Sequence, residues 1–159
     1  MEENGLVTSD GTKVLTVEEY DRFINKIPEK FRAIFEVNMI TGLRYVELQR
    51  LHDNPAWYVR SRNQIILPKE AQKKVKQKQV KRTIDRLPST FPYIFEKFIN
   101  GKTPPYRTVW YDDLGRWSES AGICPLVTPK TPRKTIESWM LKRQVSQRLR
   151  STQRQDTIL

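Results

Sequence analysis

Arginine and lysine are the side chains in this sequence whose spacing suits chemistry, and they gather in three places. The first is Thr41-Gly42-Leu43-Arg44-Tyr45-Val46-Glu47-Leu48-Gln49-Arg50-Leu51. Gly42 is placed to end one helix, and Arg44 to stand at the corner before the next. Such a corner projects a side chain into a cleft beside free backbone N–H groups. This suits an arginine that must grip a phosphate with its fork of donors. Glu47, one turn on, is placed to orient that arginine. The same residues also fit an ordinary surface ion pair at i, i+3 spacing, which is common and weak.

The second place is Thr128-Pro129-Lys130-Thr131-Pro132-Arg133-Lys134-Thr135. Lys130 falls just before a predicted helix, with Arg133 and Lys134 in its first turn. Three cations there oppose the helix macrodipole. A bound phosphate would account for them, because the N-terminal N–H groups and the cations would then point at one anion. A solvated basic turn is the other reading. The third place is the run from Lys69 to Arg86, where Lys69, Lys73, Lys74, Lys76, Lys78, Lys81, Arg82 and Arg86 face only Glu70 and Asp85. Lys74, Lys76 and Lys78 alternate, so on a strand they would share one face. A basic hairpin beside an anion cleft can enter a DNA groove. Taken singly, each lysine is equally a solvated surface group.

Composition narrows the chemistry. Lys plus Arg is 29 against 18 for Asp plus Glu, a net charge of +11, with a pI near 9.9. This bears on partners, either nucleic acid or an anionic membrane surface. No apolar run approaches a membrane span, and the start, MEENGLVTSDG, has no signal-peptide pattern. The cytoplasm is therefore the expected compartment, with both kinds of partner still open. Cys124 is the one cysteine, which excludes an intrachain disulfide and zinc fingers. The one histidine, His52, reads as structural. There is no glycine-rich phosphate loop, paired-carboxylate metal pattern or Ser–His–Asp set. No cofactor is expected, and any chemistry falls to Arg, Lys, Tyr and carboxylates.

The elements that must position these groups follow from capping and periodicity. The chain's 159 residues, 37% hydrophobic and 10% aromatic, suffice for one folded domain. Residues 1–14 read as a flexible leader without periodicity, and residues 15–159 as the domain. Thr16-x-x-Glu19 is a capping box that predicts a short helix through Ile24. Phe31, Ile34, Phe35 and Met39 share a face of a second helix that stops at Thr41-Gly42. A third helix carries Arg44, Glu47, Leu48 and Leu51. Trp57-Tyr58-Val59, Ile65-Ile66-Leu67 and the stretch from Arg82 to Leu87 read as strands. Helices are predicted from Ser89 to Asn100 and from Thr108 to Gly122. A last one has Thr131 as cap and Pro132 as its first residue, and runs through Trp139 and Met140. From Val145 to Leu159 the chain is polar and basic with weak helical character. The expected class is α+β, mainly helical, with a small three-stranded antiparallel sheet inserted. Phe31, Phe35, Phe91, Phe95 and Trp139 are expected in the core, with Trp57 and Tyr58 packing the sheet.

In this order the pieces resemble the catalytic domain of tyrosine recombinases (phage integrases), whose signature is Arg, Lys, His-x-x-Arg, His or Trp, then Tyr. Thr-Gly-Leu-Arg-x-x-Glu-Leu-x-x-Leu at 41–51 matches the first box. Lys130-x-x-Arg133-Lys134-Thr135 matches the second, with lysine in place of histidine, as in archaeal and archaeal-virus integrases. The resemblance runs from about residue 15 onward. It implies that Arg44 and Arg133 clamp the non-bridging oxygens of the scissile phosphate, with Lys130 as another donor. It implies that a lysine of the strand-rich insert, Lys74 or Lys76, protonates the leaving 5′ oxygen, and that the histidine or tryptophan position falls near Gln153 or Arg154. The departure is the nucleophile. The six tyrosines are Tyr20, Tyr45, Tyr58, Tyr93, Tyr106 and Tyr111, none after Arg133. The resemblance therefore implies a tyrosine beyond Leu159 or one donated by another protomer, and a fragment that binds DNA but does not cleave it alone. The family's N-terminal DNA-clamping domain is also not seen. The implied activity is metal-free DNA integration or recombination on double-stranded attachment sites, by a tetramer, in a host cytoplasm if the gene is viral or mobile. A non-catalytic DNA-binding or regulatory domain with the same basic surface is the rival reading, and an RNA-binding accessory protein a third.

Overall fold

Caps and turn residues set most of the element boundaries. The structure is a computed structural model and describes residues 6–73 and 81–143. Two short strands, Leu6–Val7 (β1) and Lys13–Val14 (β2), pair antiparallel. Helix α1, Val17–Ile24, opens on the expected capping box, with Thr16 and Glu19 each accepting the other's backbone N–H. Helix α2, Glu29–Thr41, ends at Gly42 in the left-handed region (φ 66°). Helix α3, Tyr45–Asp53, follows after Arg44 as N-cap.

The insert is a three-stranded antiparallel sheet in the order β3 (Tyr58–Val59), β4 (Gln64–Pro68), β5 (Lys81–Ile84). Ile65 is the centre of its register, opposite Tyr58 on one side and Ile84 on the other. Ile65 and Leu67 of β4 are fully buried and their neighbours less so, the alternation expected of a half-covered strand. Asn63 makes the β3–β4 turn with a positive φ of 48°. Its side chain accepts from Tyr58 Oη at 2.7 Å and donates to Leu87 O at 3.0 Å.

Helices α4 (Phe91–Asn100) and α5 (Arg107–Ala121) follow, and residues 131–143 form α6. Helix α4 packs on α2, and α5 on α1. The core between them is aromatic: Tyr58, Phe91, Phe95 and Phe98 meet over the sheet, while Tyr45 stacks on Trp110 at 5.9 Å. Phe31 and Trp139 pack against this core but are only partly buried. Among the described residues the α+β class, mainly helical with a three-stranded antiparallel insert, is therefore observed. No described helix is long and apolar enough to cross a membrane.

Two expectations are corrected. Residues 6–14 are not a loose leader: they form the β1–β2 hairpin, and Lys13 within it is fully buried. Its Nζ donates to Glu19 Oε2 at 2.8 Å and to the Cys124 carbonyl at 3.4 Å, tying the hairpin to α1 and to the loop before α6. Thr131 is the first residue of α6 rather than its cap. Its hydroxyl accepts the Thr128 N–H at 3.0 Å, within the preceding turn.

Gly42 fixes the corner between α2 and α3. An added Cβ would sit 3.0 Å from Ile136 Cγ2 of α6, in a backbone region that L side chains rarely adopt. Gly42→Ala is expected to destabilise the fold by about 1–2 kcal/mol. Urea unfolding checks this; an unchanged midpoint would show that the corner does not need glycine.

Candidate functional site

Helix α3 begins at the Gly42 corner, and its first-turn acid points inward. Glu47 is fully buried, and its carboxylate gathers groups from three parts of the chain. Oε1 accepts the Arg44 backbone N–H at 3.1 Å and the Arg82 guanidinium of β5 at 2.7 Å. Oε2 accepts the Lys73 backbone N–H at 3.1 Å and lies 3.8 Å from Arg44 Nη1. Burial alone would push this carboxyl up, but the bonds from Arg82, Lys73 and Arg44 outweigh it and hold the group below its ordinary value. The pair at 44 and 47 is thus not the exposed surface pair its spacing also allowed.

Arg133 reaches the same corner from α6. Its guanidinium donates to the Gly42 carbonyl at 3.1 Å and pairs with Glu137 at 3.7 Å. Desolvation, then the like charge of Arg44, draws its pKa below the ordinary guanidinium value, with Arg82 adding to the repulsion and Glu137 and Glu47 opposing it. An arginine so placed stays charged, so Arg44, Arg82 and Arg133 together outnumber their partners Glu47 and Glu137.

These side chains open onto a cleft of about 690 Å³ between the start of α3, the start of α5 and the turn into α6. Among the described residues, Arg44, Arg50, Lys73, Arg107, Lys130, Arg133 and Lys134 line it, against one carboxylate, Asp10. Arg50 is committed to structure, donating to the carbonyls of Ala71 and Gln72 at 3.3 and 2.9 Å. Asp10 belongs to the β1–β2 turn, where bonds from Thr8 and Thr12 hold its carboxyl down at about 2. The structure therefore brings Arg44, Lys130 and Arg133, which are remote in sequence, to one cleft. Such a surplus of cations with few acids suits an anion with several oxygens, a phosphodiester above all.

Other candidates fare differently. Lys74, Lys76 and Arg154, with Gln153, lie outside the described residues. Lys73, the last described residue before that lysine-rich segment, does line the cleft. Tyr45 is the one tyrosine that lines it, but its hydroxyl donates to Pro105 O at 2.6 Å, and burial pushes its pKa above the ordinary phenol value. His52 packs edge-on against Phe98 at 5.0 Å, with its Nε2 buried and unpartnered. Among the described residues no three His, Cys, Asp or Glu side chains come together as a metal-ligand set.

Sequence reasoning missed Arg82 as a partner of Glu47. The signal was there: Arg82 is two residues from Ile84 on β5, so both fall on one face. Ile84 packs against the core, and a cation on that face needs an acid. Comparison with protein-family models, with curated proteins and with solved structures finds no match for the chain.

Glu47→Gln keeps the shape but gives up the charge that Arg82 and Arg44 face. It is expected to cost about 1–3 kcal/mol near neutral pH. The folded carboxyl titrates below its unfolded value, so its contribution is full above the ordinary carboxylate range and fades as pH falls through the lowered folded value. Urea unfolding of both proteins, at neutral pH and at roughly pH 3, should show the deficit narrowing in acid. A deficit that is constant or widens would contradict this role for Glu47.

Proposed function

We propose that this domain binds double-stranded DNA and activates one of its phosphodiesters for strand cleavage and religation, as a tyrosine recombinase of the archaeal or archaeal-virus kind. The observation that carries the reading is the convergence of Arg44, Lys130 and Arg133 on one cleft over a buried glutamate. The two boxes of the resemblance supply these residues in the family's order, with lysine at the histidine position. In this reading Arg44 and Arg133 bind the non-bridging oxygens, and Lys130 adds a third donor. Their preorganised charge offsets what builds on phosphorus as a tyrosine attacks it. The tyrosine becomes joined to phosphorus and a 5′ hydroxyl leaves, its proton supplied by a lysine of the insert. Lys74 and Lys76 hold that role in the resemblance, and Lys73 joins them because it lines the cleft. The covalent link keeps the bond energy, so a 5′ hydroxyl can religate without ATP. Pairs of attachment sites would be processed by a tetramer, in a host cytoplasm if the gene is viral or mobile.

One observation favours the rival reading, a DNA-binding domain without chemistry. Tyr45 is the only tyrosine lining the cleft, and its hydroxyl is engaged by Pro105. A small nucleophile supplied from solution separates the two. With nicked duplexes and hydrogen peroxide in metal-free buffer, residues 1–159 should break the strand and release a 5′ hydroxyl. Arg44→Ala or Arg133→Ala should slow this by about 100-fold to 1,000-fold. Affinity should fall far less, because bulk binding rests on many cations and follows salt with a slope of about −0.9 per phosphate contacted. Salt-sensitive binding without arginine-dependent cleavage would leave the rival.

A further inference from the structure

Arg44 carries the proposed phosphate grip, yet a buried carboxylate lies 3.8 Å from its guanidinium. An arginine next to an unpaired buried acid closes on it as a hydrogen-bonded pair, because a lone buried charge is costly. Arg44 does not: among the described residues its guanidinium makes that ion pair and no hydrogen bond. The closer partner is Arg82, at 2.7 Å from Glu47 Oε1. Arg82 is the second residue of β5, the strand that follows the lysine-rich segment 74–80, and Lys73, immediately before that segment, gives its N–H to the other oxygen of the same carboxylate. One buried acid thus holds both flanks of the segment and the first residue of the phosphate corner.

We propose that Arg82 is a positioning residue for the phosphate site: by occupying Glu47 it leaves the Arg44 guanidinium free to face the cleft, and it sets the flanks of segment 74–80 against the same corner. The consequence for the proposed reaction rests on the reading above, while the effect on anion binding does not. A second substitution, at Glu47, distinguishes this role from simple stabilisation. If Arg82 acts by keeping Glu47 satisfied, losing it turns Arg44 inward, and removing the Glu47 charge as well releases Arg44 again. If Arg82 only stabilises the fold, the second change adds damage to the first. Among the described residues the charged groups facing Glu47 are Arg44 at the N-cap of α3, Arg82 on β5 and Arg133 on α6.

The experiment compares the parent chain with Arg82→Gln, Arg82→Lys and the double variant Arg82→Gln with Glu47→Gln, each checked for folding by circular dichroism. The probes are inorganic phosphate, by titration calorimetry, and strand cleavage with added peroxide. Arg82→Gln should weaken phosphate binding about 10-fold to 100-fold, the loss of one charge-assisted contact. Arg82→Lys should recover most of that, and the double variant should bind more tightly than Arg82→Gln alone. Cleavage should follow the same order. Equal phosphate affinity in the parent and Arg82→Gln, or a double variant weaker than the single, would overturn the proposal. Should Arg82→Gln fail to fold, Arg82→Lys decides: retained phosphate affinity supports the proposal and its loss overturns it. Phosphate binding that follows the expected order without any cleavage would leave Arg82 in this role and remove the recombinase reading. Cleavage indifferent to Arg82 would do the reverse.

Discussion

A fully buried carboxylate is expensive unless its charge is matched and its oxygens are filled. Glu47 is such a group, and much of the local structure is arranged around it. The N–H of Arg44 holds the start of α3, the N–H of Lys73 holds the chain after the turn that follows β4, and the guanidinium of Arg82 holds β5. These contacts join a helix corner to the two sides of the sheet insert through one side chain. The insert is therefore built against the corner that carries Arg44.

Positive charge accumulates as a result. Arg133 arrives from α6 already bound to the Gly42 carbonyl, and its neighbours Arg44 and Arg82 repel it. Arg82 answers the buried Glu47 and Arg133 the Gly42 carbonyl, whereas Arg44 keeps its guanidinium without a hydrogen bond among the described residues. The segment from Lys13 to Leu15 holds α6 in place from the other side. Leu15 bonds Thr135 through its N–H and Trp139 through its carbonyl, and Lys13 reaches the Cys124 carbonyl. The turn and helix that carry Lys130 and Arg133 are thus held by groups that do not line the cleft, as preorganised charge requires.

The legible parts of the fold were those with local physics behind them. Thr16 and Glu19 announce α1 because a capping box is a contact between near neighbours. Gly42 announces the corner because a left-handed residue is needed there. The sheet was legible from the short apolar runs Trp57-Tyr58-Val59 and Ile65-Ile66-Leu67. The β1–β2 hairpin was not, because two-residue strands show no period and Lys13, a cation, reads as solvent-facing until Glu19 is seen beside it. Within the site, Arg44, Lys130 and Arg133 were legible through their motifs. The depth of Glu47 and its bond to Arg82 were read less well: the β5 alternation calls for an acid beside Arg82, but no spacing rule picks out one 35 residues away. Lys74, Lys76 and Arg154 rest on the resemblance alone.

The central claim is that Arg44, in the frame built on Glu47, grips one particular DNA phosphate. The most direct measurement is a double-mutant cycle between protein and DNA: single phosphates of a bound duplex are replaced in turn by neutral methylphosphonate, and affinity is measured for the parent and for Arg44→Ala. The account predicts one position where neutralisation weakens the parent but not the variant, giving a coupling of about 1–3 kcal/mol. Additive losses at every position would mean that Arg44 contributes only to the general positive field, and the cleft would lose its claim to be a phosphate site.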